Sequence, residues 1–254
     1  MKEKLDITAS IVLYNENLEE LTKTVNCFLR VPLKKRLFLI DNTQNKLFQN
    51  IFKKQEIEYI AVGKNIGFGA GHNMVKDRIS NNSNFHLILN PDVNFQEAVI
   101  PNLIIELKKD ENVSMIAPKV LFPNGDHQYS CRRYPLLSEL FARRFTFMKP
   151  IFKSTVYKGQ YKDKDLNNSF FAEFITGCFH LYKTNDFLKL EGFDERYFLY
   201  MEDVDICRKI DNLGKKKIYY PKEEITHVLK KGSSKSMKLF FRHTLSAIKY
   251  FLKW

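Results

Sequence analysis

An α/β protein built on one open sheet is the fold class this 254-residue sequence predicts. Three observations predict it. Short apolar runs alternate with helical patterns through the first hundred residues. Each run ends on a polar residue of the kind that lines the carboxyl edge of such a sheet. The composition, 44% hydrophobic and 28% charged, is that of an ordinary soluble domain.

The elements follow in order. Residues 5–14 are a β-rich apolar run, followed by Asn15 and a helical pattern of Leu18, Leu21, Val25, Phe28 and Leu29 that stops before Pro32. Residues 36–41 read as a buried strand, 47–52 as a short helix and 57–62 as a third strand. The glycine-rich turn 65–73 leads into another helix. A fourth strand at 85–89 ends in Asn90-Pro91-Asp92. Beyond it come a helix at 96–108, a strand at 113–117 and a Pro-Asn-Gly turn at 123–125. The interval 149–168 holds seven Lys or Asp residues and little apolar periodicity, and reads as a mobile loop. Order returns at 170–182, with helices from Thr184 and through Leu213, and 237–254 forms one last helix. No internal repeat or low-complexity tract is present.

The net charge of +12, from 41 basic and 29 acidic residues, invites a nucleic-acid reading, but its distribution argues otherwise. Residues 1–130 sum to +1, residues 131–214 to +2 and the last 40 residues to +9. A nucleic-acid binder needs a basic stripe across the body of the fold. In the last helix, Lys238, Arg242, Lys249 and Lys253 share one stripe, beside an apolar one of Phe241, Leu245, Ile248 and Leu252. That pairing suits an anionic membrane surface; a helix docked on the domain with a solvated basic face is the alternative. No apolar run approaches the roughly 18 residues of a membrane span, and no signal peptide is readable. The four cysteines lie far apart, which fits a reducing cytoplasm with the thiols as small core residues.

Asn15, Asp41, Asn65 and Asp92 each follow an apolar strand, where ligands of open α/β sheets bind. Singly, each also suits a turn or helix cap. The turn Gly67-Phe-Gly-Ala-Gly71 lacks the spacing of a dinucleotide fingerprint and follows the third strand, so its glycines read as letting backbone approach a phosphate or sugar, or as a tight turn. Asp92, at a strand end beside a diphosphate, suits Mg²⁺ or Mn²⁺ held with few protein ligands. Glu202, Asp203 and Asp205 open a helix, where one acid suffices as a cap and a second is free to act as a general base. Arg132 and Arg133 suit a phosphate grip or a solvated pair.

In order along the chain, the segments 10–15, 40–42, 65–69 with Asn73, 89–93, 130–135, 192–195, 198–207 and the late His227 resemble a family 2 glycosyltransferase of the inverting GT-A type. Within that family the chain is most similar to the rhamnosyltransferases of bacterial O-antigen and capsule synthesis. The resemblance implies a single GT-A domain over residues 1–254. Residues 1–125 would be its nucleotide-sugar half, 126–236 its acceptor and catalytic half, and 237–254 a basic amphipathic helix. It implies that Asp41 bonds the donor pyrimidine, that backbone near Asn15 covers the base, and that Asn65 and Gly67 line the donor site. Asp92 stands for the metal carboxylate of a D-x-D motif whose first acid is here Asn90, and His227 for a further metal ligand. Asp203 is implied as base, Glu202 as its neighbour, and Arg132 and Arg133 as phosphate or acceptor contacts. A dTDP- or UDP-sugar donor, a lipid-linked saccharide acceptor and attachment to the inner face of the cytoplasmic membrane are the implied partners and place.

Overall fold

The computed structural model describes residues 4–137, 153–229 and 237–254. Its frame is a nine-stranded mixed sheet in the order β3-β2-β1-β4-β10-β6-β11-β5, with β8 beside β11. Four strands form the parallel half: β1 (Leu5–Leu13), β2 (Lys35–Asp41), β3 (Ile57–Ala61) and β4 (Ser83–Leu89). The apolar runs of β1, β2 and β4 are buried on both faces, as parallel strands covered by helices require, while β3 at the sheet edge is only partly buried. Leu13 pairs with Asp41 and Ser10 with Ile88, so the chain leaves β1, β2 and β4 at one common edge.

Helix α1 (Leu18–Arg30) starts where the Asn17 side chain accepts a hydrogen bond from the Glu20 amide, and stops at Val31-Pro32. Its buried Leu21, Val25 and Phe28 pack on Ile7, Ala9, Ile11 and Leu13, which share one face of β1 by the period of two. The glycine turn feeds α2 (Phe68–Asn73), which is followed by α3 (Lys76–Ile79). A buried polar chain pins α2 to the sheet: Ser10 Oγ lies 2.7 Å from His72 Nδ1 and 3.0 Å from His86 Nε2. Burial keeps both imidazoles neutral, lowering His72 well below its ordinary value and His86 to about 3.

The second half adds β5 (Val93–Asn94), α4 (Val99–Leu107), β6 (Val113–Leu121), β7 (Cys131–Arg132), α5 (Lys153–Gly159), β8 (Phe170–Phe171), β9 (Phe174–Ile175), β10 (Phe179–Lys183), α6 (Thr184–Lys189), α7 (Glu202–Asn212), β11 (Lys216–His227) and α8 (Met237–Lys253). β10 runs antiparallel to β4 and delivers residues 177–178 to the edge where β4 ends. Strand β6 outlasts its expected end and runs through Pro118, opposite Tyr220. Its ladder with β11 slips just beyond, between Tyr220 and Glu224, where β11 carries extra residues that begin with Pro221, itself without an N–H to pair.

Two local expectations are corrected. Residues 47–51 form turns instead of a helix, because one apolar contact through buried Phe48 does not offset helix nucleation over so short a run. The described part of the expected loop 149–168 contains α5 and a packed turn: Tyr161 is buried, its ring 5.0 Å from that of Phe170 and beneath the Arg133 guanidinium. Residues 149–152 of that interval lie outside the described residues. All four cysteines are buried free thiols.

Candidate active site

The carboxyl edge of the sheet gathers most of the expected residues, and two neighbouring clusters emerge. The first is built on β4 and β11. Asp92, buried in the turn after β4, points Oδ1 at His227 Nε2 across 3.3 Å, and Asn90 Nδ2 stands 3.3 Å from the same nitrogen. Thr24 of α1 holds this turn: its hydroxyl donates to the Pro91 carbonyl and accepts from the Val93 amide. The Val228 amide donates to the Asp92 carbonyl. Burial disfavours a charged His227, but Cys178 and Asp92 beside it win and raise its pKa to about 10.

The donor set fits a divalent cation. Gln128 Oε1 lies 3.0 Å from His227 Nδ1, which leaves Nε2 facing the Asp92 carboxylate. A carboxylate oxygen and an imidazole nitrogen aimed at one point call for a cation between them, a proton or a metal ion. Mg²⁺ or Mn²⁺ completed by phosphate oxygens suits that pair. Among the described residues no group of three or more acidic, histidine or cysteine side chains forms a metal cage.

The second cluster is the start of α7. Tyr200 and Met201 both adopt left-handed backbone, a sharp double turn that launches Glu202 and Asp203 at the first turn of the helix. Glu202 is buried, and its Oε2 has no hydrogen-bond partner. Burial and the adjacent Asp203 push its carboxyl up to about 8. Asp203 is only partly buried; desolvation raises its pKa, opposed by the amides of Gly177 and Val204, at 3.3 and 2.9 Å, and by Arg132. Burial raises both carboxyls of the pair, and Asp203, the more exposed of the two, is the one whose charged form the Gly177 and Val204 amides and Arg132 favour. The clusters adjoin through one dipeptide. Gly177 donates to Asp203, and the carbonyl of Cys178 accepts from the Asn90 amide.

The other expected residues divide. Asn15 is exposed at the end of β1 with left-handed backbone, open to a ligand. The Asp41 carboxylate is fully buried and accepts from the Thr43 amide at 2.8 Å and from the Tyr59 hydroxyl, the bonding of a turn anchor. Asn65 accepts from the Gly67 amide at 3.0 Å. The three glycines make room for protein: a Cβ would stand 2.3 Å from the Phe198 oxygen at Gly67, 2.7 Å from Phe193 Cβ at Gly69 and 2.7 Å from Val12 Cγ2 at Gly71. Arg132 stands close enough to Asp203 to oppose its rise in pKa. Arg133 instead makes a two-pronged pair with Asp163 at 2.8 Å. Asp205, the third acid of the α7 cluster, is a structural anchor. It is fully buried, and its Oδ1 accepts from Lys253, Trp254 and Tyr197 at 2.7, 2.8 and 3.2 Å.

Three of the four cations of the basic stripe of α8 contact the body of the fold. Arg242 stacks on Phe198 at 3.8 Å, Lys249 donates to the Arg196 carbonyl, and Lys253 also pairs with Asp194. The apolar stripe is what lies outward, with Phe241, Leu245, Ile248 and Leu252 at 58, 57, 52 and 83% exposure. Among the described residues no helix is long and apolar enough to cross a membrane.

No family model matches the chain. Among curated proteins it is similar to rhamnosyltransferase WbbL of Escherichia coli (strain K12), 25% identical over 226 residues that cover 85% of this chain and 81% of that one. It is also similar to the N-acetylglucosaminyl-diphospho-decaprenol L-rhamnosyltransferase of Mycobacterium tuberculosis, 24% identical over 181 residues. That match covers 67% of this chain and 58% of the relative's length. Among solved structures, GalNAc-T7 with UDP, GalNAc and Mn²⁺ superposes with a TM-score of 0.65 at 14% identity, over 90% of this chain and 44% of the other. The mannosyltransferase PcManGT of Pyrobaculum calidifontis with GDP-Man and Mn²⁺ superposes with 0.62 at 14% identity, over 98% and 65%. The chain is a glycosyltransferase enzyme on a GT-A fold, similar in sequence to rhamnosyltransferases.

Proposed function

We propose that the protein is an inverting glycosyltransferase that moves L-rhamnose from dTDP-rhamnose to a lipid-linked saccharide in the synthesis of a bacterial surface polysaccharide, O-antigen or capsule. One observation carries the reaction type: a partly exposed Asp203, held by the Gly177 and Val204 amides beside buried Glu202, adjoins the Asp92 and His227 pair through residues 177–178. The names of the two curated relatives carry the sugar, and the mycobacterial one carries the lipid diphosphate acceptor.

In this reading Asp203 accepts the proton of the acceptor hydroxyl as that oxygen attacks the anomeric carbon. Glu202, buried and neutral, spares Asp203 a second negative charge. The Gly177 and Val204 amides fix the carboxylate's direction. Arg132 bonds a phosphate of donor or acceptor, while Arg133 secures the strand that presents it. Asp92 and His227 would hold a divalent ion, Mg²⁺ or Mn²⁺, which would neutralise charge on the leaving diphosphate, with Asn90 beside them at the donor. Asn15, Asn65 and the turn around Gly67 border the donor. Asp41 shapes the base pocket through the Thr43 and Tyr59 contacts. Working on a lipid-linked acceptor brings the enzyme to the inner face of the cytoplasmic membrane, where the apolar face of α8 would meet lipid.

Asp203→Asn tests the assignment. The variant should lose transfer by at least ~100-fold, a general base contributing ~10²–10⁴-fold, while keeping nucleotide affinity; near wild-type transfer would overturn it. Thermal-shift titration with dTDP- and UDP-sugars in Mg²⁺ or Mn²⁺ decides the donor. Preferential stabilisation by a UDP-sugar would redirect the proposal to a galactofuranose, galactose or N-acetylglucosamine transferase.

A further inference from the structure

We propose that Gln128 is a positioning residue, one that fixes the proton of His227 on Nδ1 and so presents Nε2 to the cation held with Asp92. The inference rests on the cation site proposed above and goes beyond it in naming what makes that site competent.

Gln128 follows the tight turn 122–126, on the return from β6. Its own amide donates to the Val120 carbonyl at 2.9 Å, so its backbone is pinned to the strand. Its side-chain Nε2 donates to two backbone carbonyls, those of Leu121 at 3.2 Å and of His227 itself. Carbonyls cannot donate, so the NH₂ group must face them, and the amide cannot flip without losing both bonds. The remaining atom, Oε1, is an acceptor and lies 3.0 Å from His227 Nδ1. Two acceptors do not face each other at that distance, so Nδ1 carries the hydrogen. The other ring nitrogen is then committed to the side occupied by Asp92 Oδ1 and Asn90 Nδ2. The carbonyl that Gln128 holds belongs to the residue whose ring it orients, so main chain and side chain of His227 are clamped by one amide. Partners that set the tautomer of a ligating histidine commonly change metal affinity by about 10- to 100-fold when removed.

The test uses the full chain. Binding of Mn²⁺, followed by the loss of the free-ion electron paramagnetic resonance signal in the presence of dTDP, is compared for wild type, Gln128→Met, His227→Ala and Asp92→Asn. Gln128→Met keeps length and volume but neither accepts from Nδ1 nor donates to the carbonyls, and is expected to weaken Mn²⁺ by at least tenfold. An unchanged Mn²⁺ affinity in Gln128→Met, with loss in Asp92→Asn, would remove Gln128 from the site and leave the site standing. No Mn²⁺ uptake by wild type, or equal uptake by all four proteins, would remove the cation site itself. A second measurement does not depend on any variant folding. In wild type loaded with Mg²⁺ and dTDP, the imidazole ¹⁵N spectrum should show His227 protonated at Nδ1 only. A proton found on Nε2 would overturn the inference.

Discussion

Replacing Gly67 by alanine perturbs the contact that sets the catalytic turn on the sheet. Gly67 has a φ of 98°, and an added Cβ would lie 2.3 Å from the Phe198 carbonyl oxygen. The neighbour is backbone, which cannot swing aside like the tip of a side chain. Gly125 is the control, with a φ of 87° and nothing within 4 Å of the added atom. A positive φ costs a non-glycine residue about 1–2 kcal/mol at Gly125, and at Gly67, where a ψ of 176° makes the backbone accessible essentially to glycine alone, about 1–3 kcal/mol. At Gly67 the clash adds the loss of the hydrogen bond from the Phe68 amide to the Phe198 carbonyl, 3.1 Å long and worth about 1 kcal/mol. Overpacking adds about 1–3 kcal/mol more. Gly67→Ala should therefore destabilise by about 3–7 kcal/mol against about 1–2 kcal/mol for Gly125→Ala, read by urea unfolding. Phe198 leads through the left-handed Tyr200 and Met201 into Asp203. A shift of about 1 Å passed along that turn should cost turnover on the order of 100-fold. Equal destabilisation by the two variants, or normal turnover in Gly67→Ala, would refute this account of the glycine turn.

The remaining predictions concern acid, anchor and surface. Glu202 holds its proton to about pH 8 when folded, against a reference value of 4.5, so the folded state binds the extra proton between those values. Stability should therefore fall by up to a few kcal/mol as pH rises from about 4.5 to about 8. Glu202→Gln should flatten that slope, and a Glu202→Gln profile as steep as wild type would contradict a neutral buried carboxyl. Asp205→Ala strips Trp254 of its acceptor and Lys253 of one of its two carboxylates, and should cost about 1–3 kcal/mol. Because Trp254 is the sole tryptophan, undocking of α8 should shift its emission to the red, and an unshifted spectrum would argue against the anchor. On vesicles, recovery of wild type should survive neutral lipid and fall with Leu245→Glu and Leu252→Glu; dependence on anionic lipid alone would return the binding to the basic stripe.

The parallel half of the sheet was legible because each of its strands is a short apolar run cut off by a polar residue, a local signal that tertiary structure reinforces. The same signal located Asp41, Asn90 and Asp92. It could not tell that the Asp41 carboxylate is enclosed by Thr43 and Tyr59, since Tyr59 reaches it from a neighbouring strand. Gln128, Thr24 and Gly177 were missed for a related reason. Gly177 acts on Asp203 through its main-chain amide. Thr24 sits mid-helix and reads as a filler between apolar positions. Gln128 has only one weak trace in the sequence, its place just after the Pro-Asn-Gly turn on a segment returning beside β6. The charge-rich stretch before Phe170 was misread because composition records solvation and not partners. Lys164 of that stretch lies over the rings of Tyr161 and Phe170, and Arg133 from outside it lies over Tyr161, which supplies the packing that apolar periodicity lacks.

The charge of the last helix acquires a different meaning once its partners are known. A basic stripe beside an apolar one reads as two faces of equal standing, and electrostatics would give the basic face to an anionic surface. In the folded chain three of the four stripe cations are taken: Arg242 by the Phe198 ring, Lys249 by the Arg196 carbonyl, Lys253 by Asp194 and Asp205. Phe198 is also the residue against which Gly67 closes, and Asp205 lies two residues beyond Asp203. The helix thus braces both ends of the turn that presents the proposed base. Spending its cations inward leaves apolar side chains outward, so any lipid contact would draw on hydrophobic burial, roughly 25 cal/mol per Å², which salt does not screen. Catalytic geometry and surface attachment would then depend on opposite faces of one helix, and each can be changed without the other.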